Sequence, residues 1–562
     1  MTIKLKSIKR YILSYKYALL VVLLALLKVF LVNAQSIKAV GFALHDDMHF
    51  VIQAKNILEG RWLGPYDEMT LMRGPFYPIW IAFSHTLKTP LLISEHALYI
   101  FACIVAYVAI KPVVKNNLFR FFVFLILLFN PVSFDSSVSL RVIRSAIYPA
   151  VTLLVVSSFF GLATRALNKK GRYLIAWATL AGISLGTFYL TREESVWLLP
   201  YFLFLYLYLI IKIIIPKKTD LSLSVSLLAY PFVICLFIVY LVAQINSVKY
   251  GRYIITEIKS SAFNSAYGFL SRVYQPRERY VPVTAYALEA VYKISPSMVK
   301  IKPFLGGGTV LAWSNVSRAV LKDLPTNEIG GGWFAFALRD SVYLAHYHDN
   351  LSEALDYYNQ VAKEIETACD KGELQCLDLK RTLVPVIDKE DYPYILHNLY
   401  SATKMIFNFQ PVSVDSQPSE GTDEQIEIFE AITLGKVAPA SGKLKRGGIT
   451  DYNELKKTAA LNLITLAYQK IMPYLITFSV AAFLLKLTSN IKSRNFDIFI
   501  VFSLALLAAV LAYSSIVAIF ATKSDPSVLY DLTYISTVFP LVILFVSINI
   551  YSFFRDNLGW VK

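Results

Sequence analysis

A chain of 562 residues in which 56% are hydrophobic, 14% aromatic and only 17% charged is too apolar for a soluble globular protein. Its formal charge of +16 invites a nucleic-acid reading, but between Lys249 and Lys457 there are 24 Lys/Arg against 25 Asp/Glu. The basic excess therefore lies in short loops and at the N-terminus, which excludes a nucleic-acid footprint and marks membrane topology.

Apolar runs of roughly 18–25 residues cross a hydrocarbon core of about 30 Å as helices, because lipid offers no partner to a bare backbone. In chain order the predicted spans are 17–34, 93–111, 119–134, 143–165, 172–190, 196–215, 222–246, 460–487, 496–521 and 529–553. No small-residue cleavage pattern of the right length follows "YALLVVLLALLKVFLV", so the first run reads as a retained helix or signal anchor. With these spans, the basic clusters at 4–10, 111–120, 165–172, 212–218, 486–494 and 555–562 all fall on the cytoplasmic side. The expected fold is an α-helical polytopic membrane protein of about ten to twelve transmembrane helices. A large, mainly helical extracytoplasmic domain is inserted between them. The predicted units are an N-terminal transmembrane module, 1–246, the inserted domain, 247–458, and C-terminal transmembrane helices, 459–562.

Between the first two spans lies an outer loop, 35–92, with the chain's most polar short cluster. In "ALHDDMHF" the carboxylates of Asp46 and Asp47 stand between His45 and His49. Adjacent carboxylates serve as a general base, as metal ligands, or as a cap on a helix beginning near Met48. Further on, "TLMRGPFYPIW" sets Arg73 before Gly74 and Pro75, a guanidinium at headgroup level suited to a lipid phosphate or to plain interfacial anchoring. "FYPIWIAFSHTL" (76–87) is too short to span and reads as a helix on the outer face, or as half of a short hairpin.

Two further turns reach the same face. Arg141 and Arg144, three apart, present a cationic edge, and "LTREES" places Arg192, Glu193 and Glu194 at the end of a span. Charges this close to hydrocarbon pair with one another or serve function. In the insert, Asn350 and Glu353 have capping-box spacing ahead of a helix over 351–371, which Gly372 closes. "NEIGGGWFAFALRD" (327–340) offers Trp333, Phe336, Arg339 and Asp340 either to a sugar or to a core. Stretches 411–425 and 435–450, rich in Pro, Gly and Ser, read as mobile loops. Cys103 and Cys235 lie in apolar runs, whereas Cys369 and Cys376 form a disulfide if the insert faces an oxidising compartment and remain free thiols otherwise.

The first 80 residues resemble the multi-spanning glycosyltransferases of the C fold class, such as protein O-mannosyltransferases and aminoarabinose transferases. "DDMHF" (46–50) is similar to the mannosyltransferase D-E-x-H-F pattern, and "MRGPFYPIW" resembles the end of that family's first outer loop. The resemblance implies transfer of a sugar from a polyprenyl-phosphate donor to a glycan, lipid or protein acceptor outside the cytoplasm. Asp46 would be the catalytic base. Asp47 would orient the acceptor or help hold a divalent metal ion where one is used. Arg73 would stabilise the donor phosphate. Topology adds Arg141, Arg144 and Arg192 on the phosphate, with His49, Tyr77, Glu193 and Glu194 toward substrate. Asp for Glu, and Arg-Gly where relatives often have Lys and Pro, put metal dependence in question. Rival readings are a polysaccharide polymerase or ligase with a diphosphate-linked donor, and a transporter or scaffold; spans nearly free of charge, with Lys28 near an end, disfavour transport. Membrane lipids are implied partners, nucleic acid is not, and the expected location is a bacterial plasma membrane with the site facing outward.

Overall fold

The computed structural model describes residues 2–167, 173–215, 221–276, 278–347, 350–377, 383, 386–440 and 452–558. Helix α1 (Thr2–Val32) leads into the first loop, which carries α2 (Asp47–Leu58) and α3 (Phe76–Thr86). Then come α4 (Leu91–Ala109), α5 (Asn117–Leu128), the one-turn α6 (Ser136–Ser139), α7 (Tyr148–Leu167), α8 (Leu174–Thr191), α9 (Leu199–Leu209) and α10 (Leu221–Tyr250). The insert folds as α11 (Ser261–Arg272), α12 (Ala285–Tyr292), α13 (Pro296–Leu305), α14 (Gly308–Val320), α15 (Trp333–Leu344) and α16 (Leu351–Asp370), then α17 (Tyr392–Asn408) and α18 (Asp423–Thr433). The chain ends in α19 (Tyr452–Ser493), α20 (Ile498–Lys523), the one-turn α21 (Leu532–Ile535) and α22 (Phe539–Leu558).

The chain is a polytopic α-helical membrane protein. Among the described residues, eight helices are long and apolar enough to cross a membrane. Each of the ten expected apolar runs is helical. The apolar half of α1 and the 12-residue α5, which rises only about 18 Å, complete the set. Helix α3, with 11 residues, is too short to cross and lies against α2, as its length demanded. Of these eight, α7 and the segment Leu532–Asn557 are the most buried, whereas α10 and α19 turn most of their surface outward, toward lipid. Lys28 of α1, buried, donates to the Leu128 carbonyl and to Ser133 Oγ, each at 2.7 Å. A buried acid that the sequence reading passed over, Glu95 of α4, accepts from Tyr77 Oη at 2.8 Å.

The insert does not keep to itself. One apolar core gathers α11–α16 with Leu63 and Leu71 of the first loop, and another joins α2 and α3 to Phe429 and Ile432 of α18. Helix α17 packs along α20 and α19, and its Ala402, Met405 and Ile406 enter the membrane core. Asn350 caps α16 by accepting from the Glu353 N–H at 3.0 Å, as the spacing predicted. Cys369 and Cys376 are disulfide-bonded. The expectation of mobile loops fails for 411–425 and for 435–440, the described part of the second stretch. Ile37, Gly41 and Ser36 donate to Lys436 O, Glu420 O and Ser416 Oγ, and Glu420 and Ala438 donate back to Ala39 and Ile37. Residues 441–450 lie outside the described residues.

Helices α8 and α10 meet at Gly182, where a Cβ would stand 2.6 Å from Ile234 Cβ and 2.7 Å from the Pro231 carbonyl oxygen. Close backbone approach of this kind is how helices adhere in lipid, where apolar burial gives no drive. Gly182→Leu should therefore cost about 1–3 kcal/mol by overpacking, read as a lowered thermal midpoint in detergent. An unchanged midpoint would show that the two helices are held elsewhere.

Candidate active site

Where the first loop, the two short turns and the insert meet, they enclose a cavity of about 910 Å³. Asp46, Arg73, Arg141, Arg144, Arg192, Glu193 and Glu194, drawn from three separate stretches of sequence, all line it. Of the remaining predicted site residues, Asp47, His49 and Tyr77 do not.

The two aspartates have different fates, and neither caps a helix. Asp46 is the N-cap residue of α2, yet its side chain makes no capping hydrogen bond. Its Oδ1 instead accepts from Arg73 Nη2 at 3.1 Å, and half of the side chain remains exposed. Asp47, the first helical residue, is wholly buried and takes Arg141 in a two-point grip, Nε on Oδ1 at 3.1 Å and Nη2 on Oδ2 at 2.5 Å. Burial pushes the Asp47 carboxyl up to about 6 even against the pull of Arg141. Buried in this way, it does not reach the cavity.

Glu193 joins two segments. It accepts from Arg144 Nη1 and from the Gly74 N–H, the latter at 2.9 Å. Burial alone would raise its carboxyl, but Arg144 and Arg73 overcome that and hold it well below the usual carboxylate range. Gly74 is required there, because a Cβ would lie 2.2 Å from the Leu190 carbonyl oxygen. Arg192 pairs with its own neighbour, Nε to Glu194 Oε1 at 2.9 Å, and its guanidinium lies over the rings of Tyr148 and Tyr534. Arg141 and Arg144 thus face carboxylates, not lipid phosphate alone.

The insert closes the cavity with an aromatic wall that sequence reading left open between a core and a sugar face. Trp313 of α14 and Phe336 of α15 stack at 5.4 Å, the Arg73 guanidinium sits 5.1 Å from the Phe336 ring, and His45 packs edge-on to both rings. Ile516, Val517 and Phe520 of α20 supply an apolar side, with Tyr513 near its base. Nothing local in the sequence marks Tyr513 or Tyr534, which reach the site from more than 300 residues downstream of Arg192.

Tyr77, expected near substrate, is fully buried on Glu95. His49 is buried too, and burial together with Arg73 beside it keeps the imidazole well below its usual range and neutral. Its Nε2 has no hydrogen-bond partner. Among the described residues, no three His, Cys, Asp or Glu side chains converge to hold a metal ion.

The fold and site together define a polytopic membrane protein with an arginine-lined cavity beside its first loop. No family model matches the chain, and no curated protein matches it. Among solved structures the chain is similar to the crystal structure of ArnT from Cupriavidus metallidurans in the apo state, with 12% identity, 95% of this chain and 78% of that one covered, and a TM-score of 0.31. The crystal structure of the same protein bound to undecaprenyl phosphate aligns at 11% identity over 94% and 77% of the two chains, also with a TM-score of 0.31.

Asp47 and Glu193 make opposite demands on pH. The folded carboxyl of Asp47 titrates near 6, above its ordinary 3.8, so folding binds its proton more tightly. Its contribution to stability is full below the ordinary value and is lost as pH rises through 6. Glu193, shifted downward from 4.5, keeps its contribution above that value and loses it only in stronger acid. The thermal midpoint of wild type minus that of Asp47→Asn should therefore grow as pH falls from about 7 to about 5. A constant difference would show that Asp47 does not titrate in this range.

Proposed function

We propose that the chain is a membrane glycosyltransferase that moves a sugar from a polyprenyl-phosphate donor to an acceptor hydroxyl on the outer face of a bacterial plasma membrane. The reading is carried by one pairing: a half-exposed Asp46 against Arg73, in a cavity with guanidinium groups on its floor and a membrane helix for one wall. A donor of this class has an anionic head and a long apolar tail, which suits such a cavity. The resemblance of "DDMHF" and "MRGPFYPIW" to C-class glycosyltransferase loops supports the same reading.

In this mechanism Asp46 takes the proton of the acceptor hydroxyl while its oxygen bonds to the anomeric carbon. The bond from that carbon to the phosphate oxygen breaks, and the electron pair leaves with the polyprenyl phosphate. Arg73 and Arg144 stabilise the growing charge on the leaving group. Phosphate arriving at Arg73 competes with Asp46 for the same guanidinium. Donor binding thereby frees the carboxylate to act as a base. Asp47 acts indirectly, by fixing Arg141. The acceptor, whether glycan, lipid or protein, enters from the insert side.

Membranes or proteoliposomes containing the protein, supplied with polyprenyl-phosphate-linked radiolabelled sugars, test this directly. Asp46→Asn should lower sugar transfer by about 10²–10⁴-fold, and Arg73→Ala by about 10²–10³-fold, without loss of folded protein. Undiminished transfer by Asp46→Asn would remove the base from its role. Transfer by wild type from diphosphate-linked donors alone would favour the polymerase or ligase chemistry instead.

A further inference from the structure

Asp46 and Arg73 are 27 residues apart in the first loop. After α2 the chain runs from Glu59 to Pro75 without a regular element, and both Trp62 and Leu71 sit at positive φ, where side chains are disfavoured. A segment of this kind wanders unless something outside it holds it.

The early part of the segment is held by α10, with Trp62 Nε1 donating to Asn246 Oδ1 at 2.8 Å and Tyr250 Oη to the Gly64 carbonyl at 3.0 Å. The Gly74 N–H is held by Glu193. The groups that hold 68–71 and face His45 centre on α15. Arg339 of α15 is fully buried and bonds Glu257 through Nε and Nη2, both at 2.9 Å. The same guanidinium donates to the Thr70 carbonyl at 3.0 Å and to the Glu68 carbonyl. The Glu257 N–H in turn donates to the Leu71 carbonyl at 2.8 Å. Residues 68–71, just before Arg73, are thus knitted to α15 by backbone atoms. The next residue, Asp340, accepts from Trp313 Nε1 at 2.7 Å and faces His45 Nε2 at 3.5 Å, one residue before Asp46. One turn earlier, Phe336 lies beneath the Arg73 guanidinium and beside His45.

We propose that α15 positions the active site, with Phe336, Arg339 and Asp340 setting Asp46 and Arg73 face to face across the two ends of the first loop. This rests on the glycosyltransferase reading only for its catalytic consequence. A buried ion pair is weak as a source of stability, since apolar replacements often match it. A rigid planar fork that reads two carbonyls and a carboxylate at once is well suited to fixing geometry. Arg339 and Asp340 do not line the cavity, and Phe336, which does, is assigned its role through the Arg73 guanidinium and His45, so all three are positioning residues.

The test uses the full chain with two readouts. The first is the rate of disulfide formation between cysteines placed at 46 and 73 by Asp46→Cys and Arg73→Cys, in otherwise native and in Arg339→Lys, Asp340→Asn and Phe336→Leu backgrounds. The second is kcat and donor KM for sugar transfer in the same single variants without the cysteines. Positioning predicts a cross-linking rate at least about fivefold slower and a kcat at least about tenfold lower, because small misplacements of reacting groups are costly. Donor KM and thermal midpoint should change little in Asp340→Asn and Phe336→Leu, the milder variants that guard against simple unfolding of Arg339→Lys. Native cross-linking rates in all folded variants would overturn the proposal. Slower cross-linking where even wild type transfers no sugar would leave the positioning role intact and refute the glycosyltransferase reading.

Discussion

Four guanidinium groups gathered beside a membrane must each be given a counter-charge, and the architecture of the cavity follows from how that is done. Arg141 takes Asp47, Arg144 takes Glu193, Arg192 takes Glu194 and Arg73 takes Asp46. Removing one partner from a buried pair strands the other charge, at a cost of about 3–5 kcal/mol. The pairs therefore act as fasteners between segments that share no secondary structure. Asp47 ties α2 to the turn before α7, while Glu193 ties that turn to the end of α8 and then, through the Gly74 N–H, back to the first loop. Three of the four arginines are committed in this way. The fourth pair, Arg73 with the half-exposed Asp46, is the one most open to solvent on its acidic side.

The membrane helices were legible in the sequence because hydropathy is a local, additive signal. The ten apolar runs are largely helical, though α19 starts eight residues before its expected limit and α22 ten after, and Asn350 capped α16 where its spacing said it would. At the site, residue type was legible but partnership was not. A pair of adjacent aspartates announces chemistry, yet which one is buried depends on Arg141, nearly a hundred residues away. Tyr77 carries the same lesson. Its position in an aromatic run suggested a surface, while the buried acid that claims it, Glu95, sits in a run read simply as hydrophobic. The Pro/Gly/Ser-rich stretch after α17 looked mobile because its composition is that of a loop. Its backbone hydrogen bonds to residues 36–41 are non-local and left no mark on composition.

The insert is likewise more than an appended domain. Its main core takes in Leu63 and Leu71 from the first loop, so that loop and the insert have to fold together. Its later helices part company with that core: α17 lies along α20, and α18 covers α2 and α3. The cavity is therefore bounded on one side by a membrane helix and on the other by α14 and α15. An amphiphile approaching along the membrane and a polar partner approaching from the insert would meet at the arginines.

That meeting place also bears on why the exposed aspartate is the one paired most loosely. Asp47, wholly buried under a two-point guanidinium grip and absent from the cavity lining, is out of reach of an incoming hydroxyl. Asp46 is held by a single Arg73 contact of 3.1 Å, near the long end of the range for a charged pair. A phosphate group carries more charge than a carboxylate and offers several oxygens to the same fork. It would draw Arg73 from Asp46 while leaving the Asp47–Arg141 pair unaffected. The base would then be unmasked only beside a bound phosphate, and the looseness of that one contact is what the proposed chemistry needs.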